Sequence, residues 1–191
     1  MYSLKKKWFD GVQRMDIITP SNWLGDIAKE SFLGKYPIHV INNGINLEIF
    51  RPLKSDFRKK HNLENHKIIL GVAYGWGYRK GLDVFIRLSK DLSNDYKIVL
   101  VGTDDQIDSE LTENIVSIHR TENQQQLCEV YSAADVFANP TREEVLGLVN
   151  IEALSCGTPV VTFRAGGSPE CIDCTCGMVI EIDDYDSFKH L

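Results

Sequence analysis

The chain has 191 residues, and its content of 43% hydrophobic and 25% charged residues is ordinary for a soluble globular protein. The formal net charge of −6, from 21 basic and 27 acidic side chains, argues against nucleic acid as a partner, because binding to a phosphate backbone usually needs a basic face. No apolar run approaches the ~20 residues of a membrane-spanning helix, and the N-terminus lacks the apolar core of a signal peptide.

Strands and helices alternate along the chain when its apolar runs and helical periodicities are taken in order. The predicted elements are strand 15–19, helix 21–33, strand 38–41, helix 56–61, strand 67–73, helix 82–92, strand 97–101, strand 114–118, helix 124–132, strand 135–138, helix 145–155, strand 159–163 and strand 178–182. Such alternation implies a mostly parallel sheet that helices cover on both faces. The predicted fold is therefore α/β, a Rossmann-like doubly wound parallel sheet.

The five cysteines indicate a reducing compartment rather than a metal site. Cys171, Cys174 and Cys176 form one cluster, whereas a structural zinc site usually takes two close pairs of ligands. Cys128 and Cys156 are remote from that cluster in sequence. We therefore expect reduced cysteines, no bound metal and a cytoplasmic location.

Two loops follow predicted strands and carry the residues that suggest chemistry. The loop 74–81 is rich in glycine and follows the strand 67–73, and the loop 139–147 follows the strand 135–138. In parallel sheets of this kind, ligands bind beyond the carboxyl ends of the strands. Both loops can therefore face one crevice.

Two carboxylates flank a helix start that suits phosphate. Glu144 lies in the second loop, before Gly147, and Glu152 lies eight positions later inside the helix that follows. Unpaired backbone N–H groups and the positive end of the helix dipole both favour an anion at such a point. Carboxylates on either side can bind hydroxyl groups. The segment therefore suits a sugar, a diphosphate and a ribose in that order, as in a nucleotide-sugar.

The motifs, taken in order, resemble the retaining glycosyltransferases of family 4, also called glycosyl transferases group 1, which have the two-domain GT-B fold. The matching segments are Asn42-Asn43-Gly44-Ile45-Asn46 with Phe50-Arg51-Pro52, Lys80-Gly81-Leu82-Asp83, 135–140, 144–152, 156–161 and Gly166-Gly167-Ser168-Pro169-Glu170. The resemblance covers about residues 15 to 185. It implies that the chain contains the C-terminal, donor-binding half of a GT-B fold.

The same resemblance implies a division of the chain. Residues 1–44 are expected to be a remnant of the N-terminal acceptor domain with the interdomain linker, and residues 45–191 the nucleotide-sugar donor-binding domain, truncated at its C-terminus. We expect a fragment that binds a UDP- or GDP-sugar. The parent protein is expected to transfer the sugar, with retention, to a glycan or lipid-linked acceptor, as a hexosyltransferase-type enzyme (EC 2.4). The isolated chain is expected to be inactive without the missing acceptor domain.

Roles for individual residues follow from the resemblance. Glu144 is expected to contact the hydroxyls of the donor sugar, and Lys80 to neutralise the diphosphate as it leaves, so both are candidate catalytic residues. Glu152 is expected to bond the ribose hydroxyls. The backbone N–H groups of the stretch Gly147, Leu148 and Val149 are expected to receive the distal phosphate. No metal and no cofactor are expected, since the nucleotide-sugar is itself the substrate.

One position departs from the family pattern. The family usually has an arginine five positions before Lys80, where this chain has Gly75. Arg79 is the candidate substitute near the diphosphate, although it can equally face solvent. Trp76 and Tyr78 either line the donor pocket or pack over the loop, and packing is the favoured interpretation.

Three further polar residues have open roles. His119 and Arg120 lie where the family contacts the base, and a surface role is equally compatible with their position. Arg142 is expected to pair with its neighbour Glu143 rather than with phosphate. Peripheral membrane contact of the parent protein through Lys5 and its two lysine neighbours is a further hypothesis.

Two other functions compete with the transferase. A donor-binding domain can bind nucleotide without transferring anything. A dinucleotide-dependent oxidoreductase is suggested by Gly75, Gly77 and Gly81 after a strand, with Asp104 or Asp105 as the ribose ligand. The last glycine spacing is one residue too long for that fingerprint, and the segment 140–170 would go unexplained.

Overall fold

The computed structural model describes residues 1–190, and the chain divides into two compact units, Met1–Asn43 and Gly44–Leu191. The first unit contains helix α1 (Tyr2–Phe9), strand β1 (Ile17–Thr19), helix α2 (Asn22–Glu30) and strand β2 (Ile38–Val40). β1 and β2 pair in parallel. Ser21 caps α2, because its hydroxyl accepts a hydrogen bond from the backbone N–H of Leu24. Which domain of a larger protein this unit belongs to stays a prediction.

The second unit alternates strands and helices. Its strands are β3 (Lys67–Val72), β4 (Tyr96–Val101), β5 (Ile115–Ile118), β6 (Val136–Asn139), β7 (Val160–Phe163) and β8 (Gly177–Ile180). Its helices are α3 (Phe57–Lys60), α4 (Leu82–Asp91), α5 (Asp105–Asp108), α6 (Gln124–Ala133), α7 (Leu148–Ser155) and α8 (Tyr185–Lys189). Two short 3-10 turns, Tyr78–Lys80 and Ser168–Cys171, complete the regular structure of this unit.

The six strands form one parallel sheet in the order β5-β4-β3-β6-β7-β8. The predicted Rossmann-like doubly wound sheet is therefore confirmed. The chain builds outward from β3 to β5 and then returns to place β6 on the other side of β3. This reversal opens a crevice at the carboxyl ends of β3 and β6, which is where ligands bind in such sheets.

The core has two parts, one on each face of the sheet. Alternate residues of a strand point to opposite faces. Ile69 therefore packs with Phe85 of α4, whereas its neighbour Leu70 packs with Tyr131 of α6. Both faces are apolar, and this explains why β3 is a continuous hydrophobic run in the sequence.

The prediction for α7 was wrong by three residues at its start. It placed the helix at 145, whereas the helix begins at Leu148 because Gly147 adopts a left-handed conformation with φ of 84°. The short helices α5 and α8 were not predicted. Each is started by an aspartate cap, with Asp104 accepting from Ile107 N–H and Asp184 from Ser187 N–H. The helix α1 was not predicted either.

Candidate functional site

The loops after β3 and β6 lie against each other at the crevice. The backbone N–H of Arg142 donates to the carbonyl oxygen of Arg79 over 2.9 Å. Gly81 permits this approach, since a Cβ there would lie 2.4 Å from the carbonyl oxygen of Pro140, and its φ of 75° also favours glycine. The structure thus brings together the two loops that the sequence singled out.

Lys80 and Glu144 form an ion pair between these loops. The Nζ of Lys80 lies 2.9 Å from Oε2 of Glu144, and each side chain is only 20% exposed. The other carboxylate oxygen, Oε1, accepts from the backbone N–H of Val145. The backbone of Glu144 is also fixed, because its carbonyl accepts from Gly167 N–H and a Cβ at Gly166 would lie 1.8 Å from that oxygen. The pair is therefore held in one geometry before any ligand arrives.

The start of α7 presents unused hydrogen-bond donors. Within residues 1–190, no protein atom accepts a hydrogen bond from the backbone N–H groups of Gly147, Leu148 and Val149. No side chain caps the helix there either. Free N–H groups and the helix dipole make this point attractive to an anion.

A buried polar network supports this helix start from behind. The amide nitrogen of Asn150 donates to Oγ of Ser168 over 2.9 Å, and its amide oxygen accepts from Nδ2 of Asn139 over 2.8 Å. The hydroxyl of Thr162 lies 2.7 Å from that of Ser168. All four side chains are buried. Sequence reasoning missed them, although an asparagine in a strongly apolar helix signals a buried partner.

A cavity of about 720 Å³ opens beside the same helix. It is lined by the last residues of β3 and β4, by residues that follow β3, β4 and β5, and by Leu127 of α6 with Val149 and Glu152 of α7. Oε2 of Glu152 accepts a 2.9 Å hydrogen bond from the hydroxyl of the fully buried Tyr131. Burial raises the pKa of Glu152, and the hydrogen bond from Tyr131 partly offsets that rise.

His119 and Arg120 both line this cavity. The Nε2 of His119 lies 2.7 Å from Oδ2 of Asp108, and this hydrogen bond raises the pKa of His119. The hydroxyl of Ser117 and then His119 lower the pKa of Asp108. The ligand atoms of Asp105, Asp108 and His119 lie within 4.8 Å of one another, but carboxylates often cluster at a surface without an ion. The expected absence of metal stays a prediction.

Arg79 and Gly75 occupy different surroundings. Gly75 lines the cavity and has open space where a side chain would begin. The side chain of Arg79 is 62% exposed and lies 3.9 Å from Glu143. Neither Arg79 nor the Lys80–Glu144 pair is among the residues that line the cavity.

The predicted pair of Arg142 with Glu143 was wrong. Arg142 instead binds Asp83 and Asp183, which lie on other segments, and its guanidinium lies 3.7 Å from the centre of the Tyr78 ring. Side chains of adjacent loop residues diverge, so Glu143 meets Arg79 and Arg142 turns inward.

The aromatic side chains of Trp76 and Tyr78 have different surroundings. Trp76 packs edge-on against Phe85, with ring centres 5.4 Å apart, and its indole N–H donates to the carbonyl of Val101. Packing over the loop is therefore what Trp76 does. Tyr78 is 67% exposed and covers Arg142.

The cysteines and the helices can be compared with the expected reduced thiols and the expected lack of a membrane span. All five cysteines are free, and Cys128 and Cys156 are buried with their sulfurs 3.3 Å apart. Burial first, and then the neighbouring Cys128 thiol, raise the pKa of Cys156. Among the helices within residues 1–190, none combines the length and the hydropathy that crossing a membrane requires.

Comparison with known proteins identifies the chain's relatives. A family model described as "Glycosyl transferases group 1" matches residues 66–190. A GDP-mannose-dependent monoacylated alpha-(1-6)-phosphatidylinositol monomannoside mannosyltransferase of Corynebacterium glutamicum is 28% identical over 183 residues, which cover 85% of this chain and 48% of the relative. The chain spans no more than about half the length of the curated relatives it matches first.

Two solved structures share the fold. Sucrose-phosphate synthase from Thermosynechococcus elongatus superposes with a TM-score of 0.83 at 23% identity, over 99% of this chain and 50% of that one. Anabaena Alr3699/HepE, solved in complex with UDP-glucose, superposes with a TM-score of 0.74 at 19% identity, over 91% of this chain and 51% of that one. The fold is thus the Rossmann-like domain of GT-B glycosyltransferases.

The chain belongs to the glycosyl transferases group 1 family, since the family model covers well over half of it. The resemblance predicted from the sequence motifs is therefore confirmed. Family membership removes the dinucleotide-dependent oxidoreductase as an alternative. The roles of individual residues stay predictions.

Proposed function

We propose that this chain binds the nucleotide-sugar donor of a glycosyltransferase, and that the whole protein transfers the sugar with retention to a glycan or lipid-linked acceptor. The observation that carries the proposal is the arrangement around α7. Along the chain, the start of α7 lies between Glu144, which pairs with Lys80, and Glu152, which lines the cavity. A nucleotide-sugar has the matching order of parts: sugar, diphosphate and nucleoside.

The nucleoside is proposed to occupy the cavity. The hydroxyl of Tyr131 donates a hydrogen bond to Oε2 of Glu152, while Oε1 accepts no hydrogen bond from the residues that the structure describes. A ribose hydroxyl can donate to that free oxygen, and a charged acceptor strengthens such a bond. His119 and Arg120 line the same cavity, and we propose that the base lies beside them. UDP and GDP stay equal candidates, because one relative is named GDP-mannose-dependent and one structural neighbour was solved with UDP-glucose.

The diphosphate is proposed to meet the start of α7 and Lys80. The free N–H groups of residues 147–149 supply donors, and Lys80 supplies a positive charge that costs no reorganisation when the diphosphate leaves. This arrangement performs electrostatically what a metal ion does in other transferases, so we propose a metal-independent reaction. Arg79 can approach the phosphates only by leaving Glu143, and its exposure leaves that movement free.

Glu144 is proposed to hold the donor sugar. Its carboxylate lies on the Lys80 side of the helix start and already bonds Lys80 and the N–H of Val145. Sugar hydroxyls would add to these bonds, so that the anomeric carbon is presented beside the leaving phosphate. In a retaining reaction of this kind, the leaving phosphate oxygen takes the proton of the attacking acceptor hydroxyl.

Calorimetric titration of the 191-residue chain with UDP and GDP tests the proposal. We expect one of the two to bind, and Glu152→Ala to weaken it by about 1–3 kcal/mol through loss of hydrogen bonds to a charged group. Glu113→Gln removes an exposed carboxylate away from the cavity and serves as the control. Absence of binding by either nucleotide, or equal affinity in the Glu152 variant, would reject the assignment.

A second candidate, a nucleotide-binding domain without transferase activity, is favoured for the isolated chain by its length relative to the family. Because it spans about half of its relatives, we propose that the acceptor site lies in a further domain and that this chain alone is inactive. Measurement of donor turnover by the chain and by the whole protein distinguishes the two functions.

The free cysteines are the basis for proposing a cytoplasmic location. The lysines at positions 5–7 are the basis for proposing peripheral membrane contact.

A further inference from the structure

Arg142 contacts two carboxylates and a backbone carbonyl, whereas a simple surface ion pair joins one cation to one carboxylate. Its guanidinium binds Asp83 through two parallel hydrogen bonds of 2.9 and 2.8 Å. It also lies 2.6 Å from Oδ1 of Asp183, and it donates to the carbonyl of Tyr78. The side chain is only 12% exposed, and the Tyr78 ring covers it.

These contacts join three separate segments. Asp83 lies in the first turn of α4, and Asp183 follows β8 in a left-handed conformation with φ of 65°. Tyr78 begins the 3-10 turn that ends at Lys80. The side chain of Arg142 bonds all three of these segments. The loop 140–147 also meets the turn at Arg79, whose carbonyl accepts from the backbone N–H of Arg142 and from the hydroxyl of Thr141.

The charge balance shows that Arg142 is committed to this position. One guanidinium faces two carboxylates, so the group carries an excess negative charge and has no spare positive charge to offer a ligand phosphate. Without the guanidinium, Asp83 and Asp183 would repel each other across the space it fills. The first turn of α4 and the 78–80 turn beside it would then lose their anchor.

Lys80 is the residue that this anchor serves. It lies two positions after Tyr78 and pairs with Glu144, which lies two positions after Arg142. Arg142 thus clamps the two loops at a point close to the ion pair. Binding groups must be held to within a fraction of an ångström for full effect, because a displacement of about 1 Å can cost a large factor in rate.

We propose that Arg142 is a positioning residue. It holds Lys80 and Glu144 in place for the distal phosphate and the sugar of the donor, and it does not itself contact the donor. The inference rests on the proposed donor-binding function. This role of Arg142 differs from a general structural role in one respect. Loss of Arg142 should weaken binding of the distal part of the donor and leave binding in the nucleoside cavity unchanged. Arg142 is not among the residues that line that cavity.

The test compares the affinities of UDP and UMP, or of GDP and GMP if the chain prefers guanine, for the 191-residue chain by calorimetry. The mono- and diphosphates share base, ribose and first phosphate, so their affinity ratio isolates the distal phosphate. We expect Arg142→Met to reduce the ratio about tenfold while the affinity for the monophosphate stays within about twofold. Arg142→Lys keeps the charge without the planar fork and should recover only part of the ratio.

The matched control is Arg164→Met. Arg164 also pairs with a carboxylate, Glu181 at 2.6 Å, but both side chains are exposed, and this ion pair includes neither Arg142 nor the Lys80–Glu144 pair. If Arg142→Met does not fold, Asp83→Asn loosens the same anchor while it keeps the arginine, and it should move the ratio in the same direction. Thermal unfolding of each variant verifies folding.

The outcomes separate the two levels of the argument. If wild type binds none of the four nucleotides, the proposed function fails, and the inference fails with it. If wild type binds the diphosphate and the folded variants keep its affinity ratio, only the positioning role is overturned. A parallel loss of mono- and diphosphate affinity also overturns it, because that is the result a purely structural role would produce.

Discussion

Replacing Tyr131 by Phe removes one hydroxyl beside Glu152 and, with it, the 2.9 Å hydrogen bond to Oε2 of that carboxylate. A hydrogen bond to a charged group contributes about 1.5–3 kcal/mol. Glu152 lines an open cavity, so water can replace the hydroxyl. We therefore expect the net loss of hydrogen-bond free energy at Glu152 to be about 1 kcal/mol. The bond also holds the carboxylate in position for the ribose, and nucleotide affinity should therefore fall by at most a factor of roughly five.

The same change has a pH signature. Burial raises the pKa of Glu152 and the Tyr131 hydroxyl lowers it, so the pKa rises further in the variant. Ribose hydroxyls bind the ionised carboxylate better, and nucleotide affinity therefore falls as pH drops through this pKa. The fall should begin at a higher pH in Tyr131→Phe. Cys156, whose thiol also interacts with Glu152, stays neutral because burial raises its pKa.

Stability should depend on pH in the opposite sense. A carboxyl group whose pKa is raised by folding costs nothing below its unfolded pKa and destabilises the fold as pH rises through the folded pKa. The stability difference between Tyr131→Phe and wild type should therefore be larger at neutral pH than in acid. Urea unfolding at several pH values measures this difference, and calorimetry at the same pH values measures affinity.

The chain offers a matched control for this pair. The hydroxyl of Tyr185 donates to Oδ2 of Asp91 over 3.0 Å, and neither residue is among those that line the cavity. Tyr185→Phe should change stability without changing the pH profile of nucleotide binding. The reasoning is refuted if Tyr131→Phe and wild type share one pH profile, or if Tyr185→Phe shifts it equally.

Two further predictions concern the loops around the site. Gly81→Ala should destabilise the fold by about 1–3 kcal/mol in urea unfolding, since its Cβ would meet the carbonyl of Pro140 and its φ of 75° is strained for alanine. Asp108→Asn should return the raised pKa of His119 towards its ordinary value in an NMR titration, because the hydrogen bond to Asp108 is the main cause of the rise. The stabilising contribution of the charged histidine is present below its unfolded pKa and disappears as pH rises through the folded pKa, so it should vanish at a lower pH in the variant.

Controls for these two predictions lie nearby. Gly44→Ala adds a methyl group where no atom lies within 4 Å, and a loss of stability equal to that of Gly81→Ala would contradict the steric argument. Asp105→Asn removes a carboxylate 3.9 Å from the His119 ring. It should move the titration less than Asp108→Asn does, and the reverse order would contradict the assignment.

Much of the fold could be predicted because its signals are local. A strand such as β3, apolar on both faces, is a continuous hydrophobic run, and α4 shows helical spacing over ten residues. α5 and α8 have only four and five residues, which is too short for a periodic pattern, and their aspartate caps are the only local mark. The start of α7 was misplaced because Val145 and Leu146 continue the apolar pattern into a loop that only the backbone conformation of Gly147 ends.

Within the candidate site, the motif residues could be located and their partners could not. The loops that carry Lys80 and Glu144 follow strands, so their meeting follows from parallel topology. The partners of Arg142 lie 59 and 41 positions away, and the choice between them and the adjacent Glu143 depends on tertiary structure. The network behind Asn150 likewise joins residues from four segments, and no spacing rule connects them.

The reversal of the sheet between β3 and β6 also has a consequence for the order of folding. Lys80 and Glu144 are 64 positions apart, and β3 pairs both with its sequence neighbour β4 and with the more distant β6. Loop closure over such a distance costs entropy that local contacts do not recover. The half of the sheet made of β3, β4 and β5 can therefore assemble as a nucleus on its own. We expect the ion pair, the contacts of Arg142 and the crevice to form when the second half docks, so that binding competence is a late event in folding.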